Sequence, residues 1–144
     1  MKILVLNGPN LNLLGTRQPE IYGSETLSSI EQRLQMLAEK HGCNVTFFQS
    51  NHEGVLIDRI QAAKDFNAIV INPGGLTYSS VSLRDALGAL HIPVIEVHIS
   101  NIFSRERFRA KSLISPICRG VISGFGGDGY LLALQAICGF QPGT

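Results

Sequence analysis

The 144 residues suit one domain, and a hydrophobic content of 44% is ample for one core, so neither a disulfide framework nor a structural metal is needed. A formal net charge of +1, from 12 basic and 11 acidic residues, argues against a nucleic-acid surface, which rests on a concentrated basic patch. Cys43, Cys118 and Cys138 cannot all pair within one chain and form no C-x-x-C, as expected of reduced, buried thiols in a cytoplasmic protein.

The first predicted element is a strand over Ile3–Asn7. Only six residues precede Gly8-Pro9 after the initiating methionine, too short an apolar stretch for a secretory signal, and no apolar run approaches the ~20 residues that cross a bilayer. We therefore expect a soluble chain with no membrane partner. The connection that follows, from Gly8 to Gly23, is long for a strand-to-helix loop, which usually takes about 2–6 residues. Leu11, Leu13 and Leu14 make it too apolar to hang free, and Gly15 and Gly23 bracket a segment carrying Arg17 and Tyr22, as in a hinged flap. Leu27, Ile30, Leu34, Leu37 and Ala38 then recur at helical spacing, with a cap expected near Ser24 and a stop at Gly42.

A second strand is expected over Asn44–Gln49 and a helix from Glu53 to Lys64. The third strand, Ala68–Asn72, is almost wholly apolar and ends on a polar residue. After it, Pro73-Gly74-Gly75 lets backbone N–H groups approach a ligand, and the helix expected over Ser80–Leu90 points its N-terminus at the same place. The fourth strand, Val94–His98, sets Glu96 and His98 two apart and hence on one face. A carboxylate beside an imidazole fixes its tautomer and suits it to general acid work. Arg105, Arg107, Arg109 and Lys111 alternate along the next stretch, as on a solvated helix face or, in a sharper reading, an anion site. A fifth strand is expected over Gly120–Ser123 and a last helix over Gly129–Cys138. Gly124-Phe-Gly-Gly-Asp-Gly129 between them has the spacing of a dinucleotide loop, but it follows the last strand and no strand with a ribose-binding acid comes after it, so a tight turn explains it.

Strands alternating with helices, the inner strands apolar throughout, predict a single α/β domain over residues 1–144. The expected architecture is a flavodoxin-like, doubly wound, five-stranded parallel sheet of order 2-1-3-4-5. Ligands of such sheets bind beyond the carboxyl ends of the strands, near the switch point between strands 1 and 3. The chain has no Walker A sequence and no metal-ligand spacing among His41, His52, His91 and His98, and no cysteine falls in a strand-end loop. A receiver module would want an Asp after strand 3 and a Lys after strand 4, where this chain has Asn72 and His98. A flavin carrier would want a Ser/Thr/Gly phosphate loop after strand 1. A non-catalytic protein that only assembles with others is a third alternative.

Seven blocks in order, N-G-P-N-L-N-L-L-G (7–15), R-x-P-x-x-Y-G (17–23), F-Q-S-N-H-E-G (48–54), I-N-P-G (71–74), L-R-D-A-L (83–87), I-E-V-H-I-S-N (95–101) and G-Y-L-L-A-L (129–134), resemble the type II 3-dehydroquinate dehydratases over nearly the whole chain. The resemblance implies a lyase that dehydrates 3-dehydroquinate to 3-dehydroshikimate through an enolate, without metal or cofactor, in the shikimate pathway or in quinate catabolism. Tyr22 would match the base, Arg17 the cation that favours its phenolate, His98 the acid and Glu96 its orienting carboxylate. Asn12 would match the residue that holds a water against the enolate oxygen. Asn72, Tyr78, Ile99, Ser100 and Arg109 would match substrate contacts, with Arg109 taking the carboxylate. Asp85 would match a residue that reaches a neighbouring subunit's site, in a homo-oligomer of trimers grouped into a dodecamer. The chemistry is demanding: a tyrosine of ordinary pKa, about 10, is only ~0.1% phenolate at pH 7, a cost of about 4 kcal/mol. A nearby guanidinium offsets part of it. Two positions depart from the family pattern. Tyr78 stands where the family usually has His, and Ala110-Lys111 where it usually has His-His.

Overall fold

The computed structural model describes residues 1–140; the last four residues of the expected domain lie outside them. Five parallel strands, β1 (Lys2–Asn7), β2 (Asn44–Gln49), β3 (Ala68–Asn72), β4 (Val94–His98) and β5 (Gly120–Ser123), form one sheet in the order β2-β1-β3-β4-β5. This is the expected architecture, with the reversal of strand order between β1 and β3. Helices α2 (Leu27–Lys40) and α6 (Asp128–Cys138) cover one face, where Ile3, Val5, Ala68, Val70, Ile95 and Val97 are buried. Helices α3 (Glu53–Gln61) and α5 (Val81–Gly88) cover the other, over Leu4, Leu6, Ile69, Ile71 and Val94. Strands buried on both faces need no polar alternation, and each such Val, Leu or Ile side chain removed from water contributes about 1.5–3 kcal/mol.

The helix bounds differ from the sequence reading in ways the packing explains. α2 is capped by Thr26 rather than near Ser24; the Thr26 hydroxyl accepts from the Ser29 N–H at 3.1 Å. α3 stops at Gln61 instead of Lys64, because Ala63 and Phe66 leave the helical path to bury against the core and Asn67 reaches back to accept from Lys2 N. α5 starts after Ser80, whose hydroxyl caps it through Leu83 N, and ends at Gly88 so that the chain can turn into Pro93. Two single-turn helices were not expected: α1 (Pro19–Tyr22) inside the first loop and α4 (Leu76–Ser79) after β3.

The flap's trailing end is tied to the last helix. Glu25 accepts from Arg33 at 3.0 Å and from Ser29 at 3.1 Å, and Arg33 also pairs with Asp128 at the start of α6. Cys43 is buried as expected, whereas Cys118 and Cys138 are only partly so; Cys43 and Cys138 lie Sγ to Sγ at 3.6 Å as free thiols. No helix among the described residues is long and apolar enough to cross a membrane.

Candidate active site

The buried polar side chains Asn7, Asn72, Glu96, His98 and Ser100 collect at the carboxyl end of the sheet, where β1, β3 and β4 finish. Asn72, His98 and Ser100 line a cavity of about 140 Å³ whose wall also includes Arg17, Tyr22, Tyr78 and Arg105. That is smaller than the ~300–1,000 Å³ of pockets for drug-sized ligands, so the site suits a small molecule.

Two loops close on each other to form its floor. Gly8 N donates to Asn72 O at 2.8 Å, and a Cβ on Gly8 would meet Pro73 O at 2.4 Å. Gly74, at φ +60°, lies against the other loop in return, where a Cβ would meet Pro9 O at 2.8 Å. Only glycine permits this mutual approach. The two non-glycine residues with left-handed backbone among those described, Asn10 and Gln18, also fall in the first loop, which is held in shape by Leu11 and Leu14 buried on the α2/α6 face.

Tyr22 ends the α1 turn, and its ring packs against the edge of that core. Two guanidinium groups lie near its ring, Arg17 at 5.2 Å and Arg105 at 5.1 Å from the centroid. Arg105 is the one that reaches the hydroxyl, donating from Nη1 at 2.8 Å, and it also donates to Ser100 Oγ at 3.3 Å. The basic stretch is therefore not a helix face. Arg105 precedes a 3-10 turn (Arg107–Ala110) that turns Arg105 and Arg109 into the cavity wall and leaves Arg107 and Lys111 exposed.

Across the cavity, His98 Nε2 meets the Glu96 carboxylate. Glu96 is fully buried and accepts from three hydroxyls as well: Thr77 at 2.8 Å, Ser112 at 3.1 Å and Ser115 at 2.7 Å. Burial pushes its carboxyl up, but the His98 hydrogen bond and charge, with the Ser115 and Thr77 hydroxyls, outweigh it and hold the group below the usual carboxylate range. Because Nε2 is committed to Glu96, Nδ1 is the imidazole nitrogen left for a ligand.

Tyr78 lies beside His98, with ring centroids 6.4 Å apart and planes at 22°, and meets Phe108 edge-on at 6.2 Å. The Arg109 guanidinium sits 5.5 Å from the Tyr78 ring and pairs with Glu106. Burial raises the Tyr78 hydroxyl above the ordinary tyrosine range, with Arg109 acting against it. Ile99 and Ser100 line the cavity, as do Asn72 and Arg109. Asn12 and Asp85 do not. Asn12 is exposed, its Oδ1 accepting from Gln49 Nε2 at 3.4 Å, and Asp85 is exposed on α5.

The residue the sequence reading placed least well is Arg105, recognised only as one cation in a basic stretch. Thr77, Ser112 and Ser115 were not singled out, and nothing in their spacing ties them to Glu96. Asn7 and Tyr130 stand behind Asn72: Asn72 Nδ2 donates to the Tyr130 hydroxyl at 3.0 Å, which donates to Asn7 Oδ1 at 2.5 Å. Asn7 carried a signal, a polar residue closing an apolar strand as Asn72 does. Among the described residues, no three His, Cys, Asp or Glu side chains converge to hold a metal.

Residues 1–138 match the family described as dehydroquinase class II. The 3-dehydroquinate dehydratase of Herminiimonas arsenicoxydans is 60% identical over 135 residues, which are 92% of this chain and 93% of that protein. The 3-dehydroquinate dehydratase of Methylococcus capsulatus is 62% identical over 136 residues, 93% of this chain and 92% of that one. The crystal structure of the type II dehydroquinase from Butyrivibrio crossotus superposes with a TM-score of 0.94 at 46% identity, covering 95% of this chain and 97% of the other.

Proposed function

Because the chain belongs to the class II dehydroquinases, we propose that it is a single-domain lyase that dehydrates 3-dehydroquinate to 3-dehydroshikimate through an enolate. The observation that carries the proposal is the opposition, across one small cavity, of a tyrosine hydroxyl held by a guanidinium and an imidazole held by a buried carboxylate.

The Tyr22 phenolate takes a proton from the carbon next to the ketone, and the electron pair moves to the ketone oxygen as an enolate. Arg105 supports the phenolate through its direct hydrogen bond, and Arg17 through its charge beside the ring. Preorganised cations of this kind cost no reorganisation during the reaction. Asn12, whose Oδ1 accepts from Gln49, has its Nδ2 to hold a water against the enolate oxygen. The enolate then collapses: the carbonyl re-forms, the C–O bond of the leaving hydroxyl breaks, and His98 supplies a proton so that it departs as water. Glu96 accepts the Nε2 proton and orients the ring, so the proton given up is the one on Nδ1 of the imidazolium. Asn72, Ile99, Ser100 and Arg109 bind the substrate's oxygens, with Arg109 on the carboxylate, and Tyr78 forms the wall beside His98. Asp85, exposed on α5, reaches the site of a neighbouring copy in an assembly of trimers.

The test is direct. Purified protein is mixed with 3-dehydroquinate, and the ultraviolet absorbance of the conjugated enone is followed with and without prior borohydride treatment of the protein in the presence of substrate. The expected result is a steady rise that borohydride does not abolish. No rise with folded protein would overturn the assignment, and borohydride inactivation would replace the phenolate mechanism with an imine on a lysine.

A further inference from the structure

Asn72 is the one β3 side chain in the cavity wall, and its carboxamide is held from behind by two partners. Gly74 N donates to Oδ1 at 3.1 Å, and Nδ2 donates to the Tyr130 hydroxyl at 3.0 Å. Tyr130 is fully buried in the first turn of α6, and its own proton goes to Asn7 Oδ1 at 2.5 Å.

The direction of this chain of bonds is forced from one end. A backbone N–H can only donate, so the Asn72 atom facing Gly74 must be Oδ1. Nδ2 therefore faces Tyr130 and donates, so the phenol oxygen accepts and its proton must find an acceptor elsewhere. Asn7 Oδ1 is that acceptor. The same order accounts for Asn7 Nδ2, the one buried side-chain polar atom among the described residues with no partner: turning that amide over would set a nitrogen against the phenol's proton. Burial pushes the Tyr130 phenol far above the ordinary tyrosine range, with the Asn72 bond acting in the other direction, so it keeps its proton and stays a donor. One hydrogen of Asn72 Nδ2 is left unspent.

We propose that Tyr130 is a positioning residue for the reaction: it locks the Asn72 carboxamide so that its remaining N–H donates into the cavity, toward an oxygen of the bound substrate. The inference rests on the function proposed above. It also makes α6 part of the site without α6 contributing a side chain to the cavity wall.

The experiment is a double-mutant cycle on turnover of 3-dehydroquinate with Tyr130→Phe, Asn72→Ala and the pair. Tyr130→Phe keeps the buried ring and removes only the hydroxyl. With Asn72 loosened, kcat/KM falls by about tenfold, mostly through KM, as expected for one weakened hydrogen bond to substrate. If Tyr130 acts through Asn72, the same substitution costs less than about twofold in the Asn72→Ala background. Additive effects, or a Tyr130→Phe enzyme that loses thermal stability while its KM is unchanged, overturn the proposal and reduce Tyr130 to a packing residue. Should Tyr130→Phe not fold, Asn7→Ala tests the other end. It removes the phenol's acceptor, and its effect on KM must likewise vanish when Asn72 is alanine. A wild-type protein that does not turn over 3-dehydroquinate overturns the functional assignment itself, whereas an active wild type with an additive cycle overturns only the role of Tyr130.

Discussion

Replacing Glu96 by glutamine keeps the side chain's shape and removes its charge. Glu96 accepts from the His98 ring and from Thr77, Ser112 and Ser115 in a site with no exposure to water. Hydrogen bonds to a charged group contribute about 1.5–3 kcal/mol each, and neutral ones about 0.5–1.5 kcal/mol. Ser112 Oγ already accepts from Ile114 N and Ser115 N, at 3.0 and 3.1 Å, so it has no lone pair for a new amide hydrogen at either end of the glutamine. One N–H is stranded, or the imidazole must give up its Nε2 proton to accept it. The glutamine is spared the desolvation cost of a buried charge. Balancing these, Glu96→Gln should lose about 2–3 kcal/mol, or roughly 8 °C in Tm. The pH dependence carries the sign. The native carboxyl lies below its unfolded value, so its contribution is complete above about pH 4.3 and fades as the pH falls through the lower native value. Urea unfolding of the two proteins should therefore give a constant gap between about pH 7 and pH 5 that narrows below about pH 4. Equal stabilities at neutral pH, or a gap that persists unchanged in acid, would refute the reasoning. On the proposed mechanism kcat also falls, by at least about tenfold, because His98 loses the group that orients it.

Four further outcomes follow from the geometry. Arg105→Ala should lower kcat by about a hundredfold and more than Arg17→Ala does, because only Arg105 reaches the Tyr22 hydroxyl; steady-state kinetics of the pair would show the reverse order if charge beside the ring were what matters. Gly8→Ala should cost more than about 2 kcal/mol in urea unfolding, since its Cβ would lie 2.4 Å from Pro73 O, and a protein as stable as wild type would remove the interlocked loops from the account. Tyr78→Phe should stay within about threefold of wild type in kcat/KM and Tyr78→Ala should lose about tenfold, because the ring packs on His98 and Phe108; a large loss in the phenylalanine variant would assign the role to the hydroxyl. Burial pushes the Cys118 thiol up to about 12 and the Cys138 thiol up to about 11, so at pH 8 each is roughly 0.1% thiolate or less, and iodoacetamide should label both slowly until urea is added.

The inner strands β1, β3 and β4 were legible almost to the residue because each is a short apolar run buried on both faces and punctuated by Gly, Pro or Asn. Helix ends were less so, because what stops α3 is the burial of Ala63 and Phe66, a tertiary event without a local signal. The single turns α1 and α4 are too short to show a helical period. In the site, Glu96 and His98 could be paired because two-residue spacing on a strand is geometry. Arg105 and Tyr22 are 83 positions apart, and no spacing rule joins them. The same holds for Tyr130 and Asn7, separated by 123 positions and brought together only when α6 docks on the sheet over β3 and β4. Sequence patterning thus reveals groups that share an element, whereas groups that share a cavity emerge from the topology.

The register of β4 ties stability to chemistry more tightly than any single contact. Ile95 and Val97 face the α2/α6 core, whereas Val94, Glu96 and His98 face the other side, where Thr77, Ser112 and Ser115 wait with hydroxyls. A slip of one residue would turn the carboxylate into the α2/α6 layer, whose only buried polar groups among the described residues are the already-paired Asn7, Asn72 and Tyr130, and set Ile95 and Val97 against the hydroxyls. The buried Glu96–His98 pair is no simple gain in stability, since replacing buried polar or charged pairs by packed apolar groups is often neutral or better. It specifies, through the cost of every alternative register, the one alignment that brings His98 to the carboxyl edge opposite Tyr22. Asn72 reaches that edge from the α2/α6 face of the neighbouring strand. The cavity can thus be lined from both faces of the sheet only where the strands end.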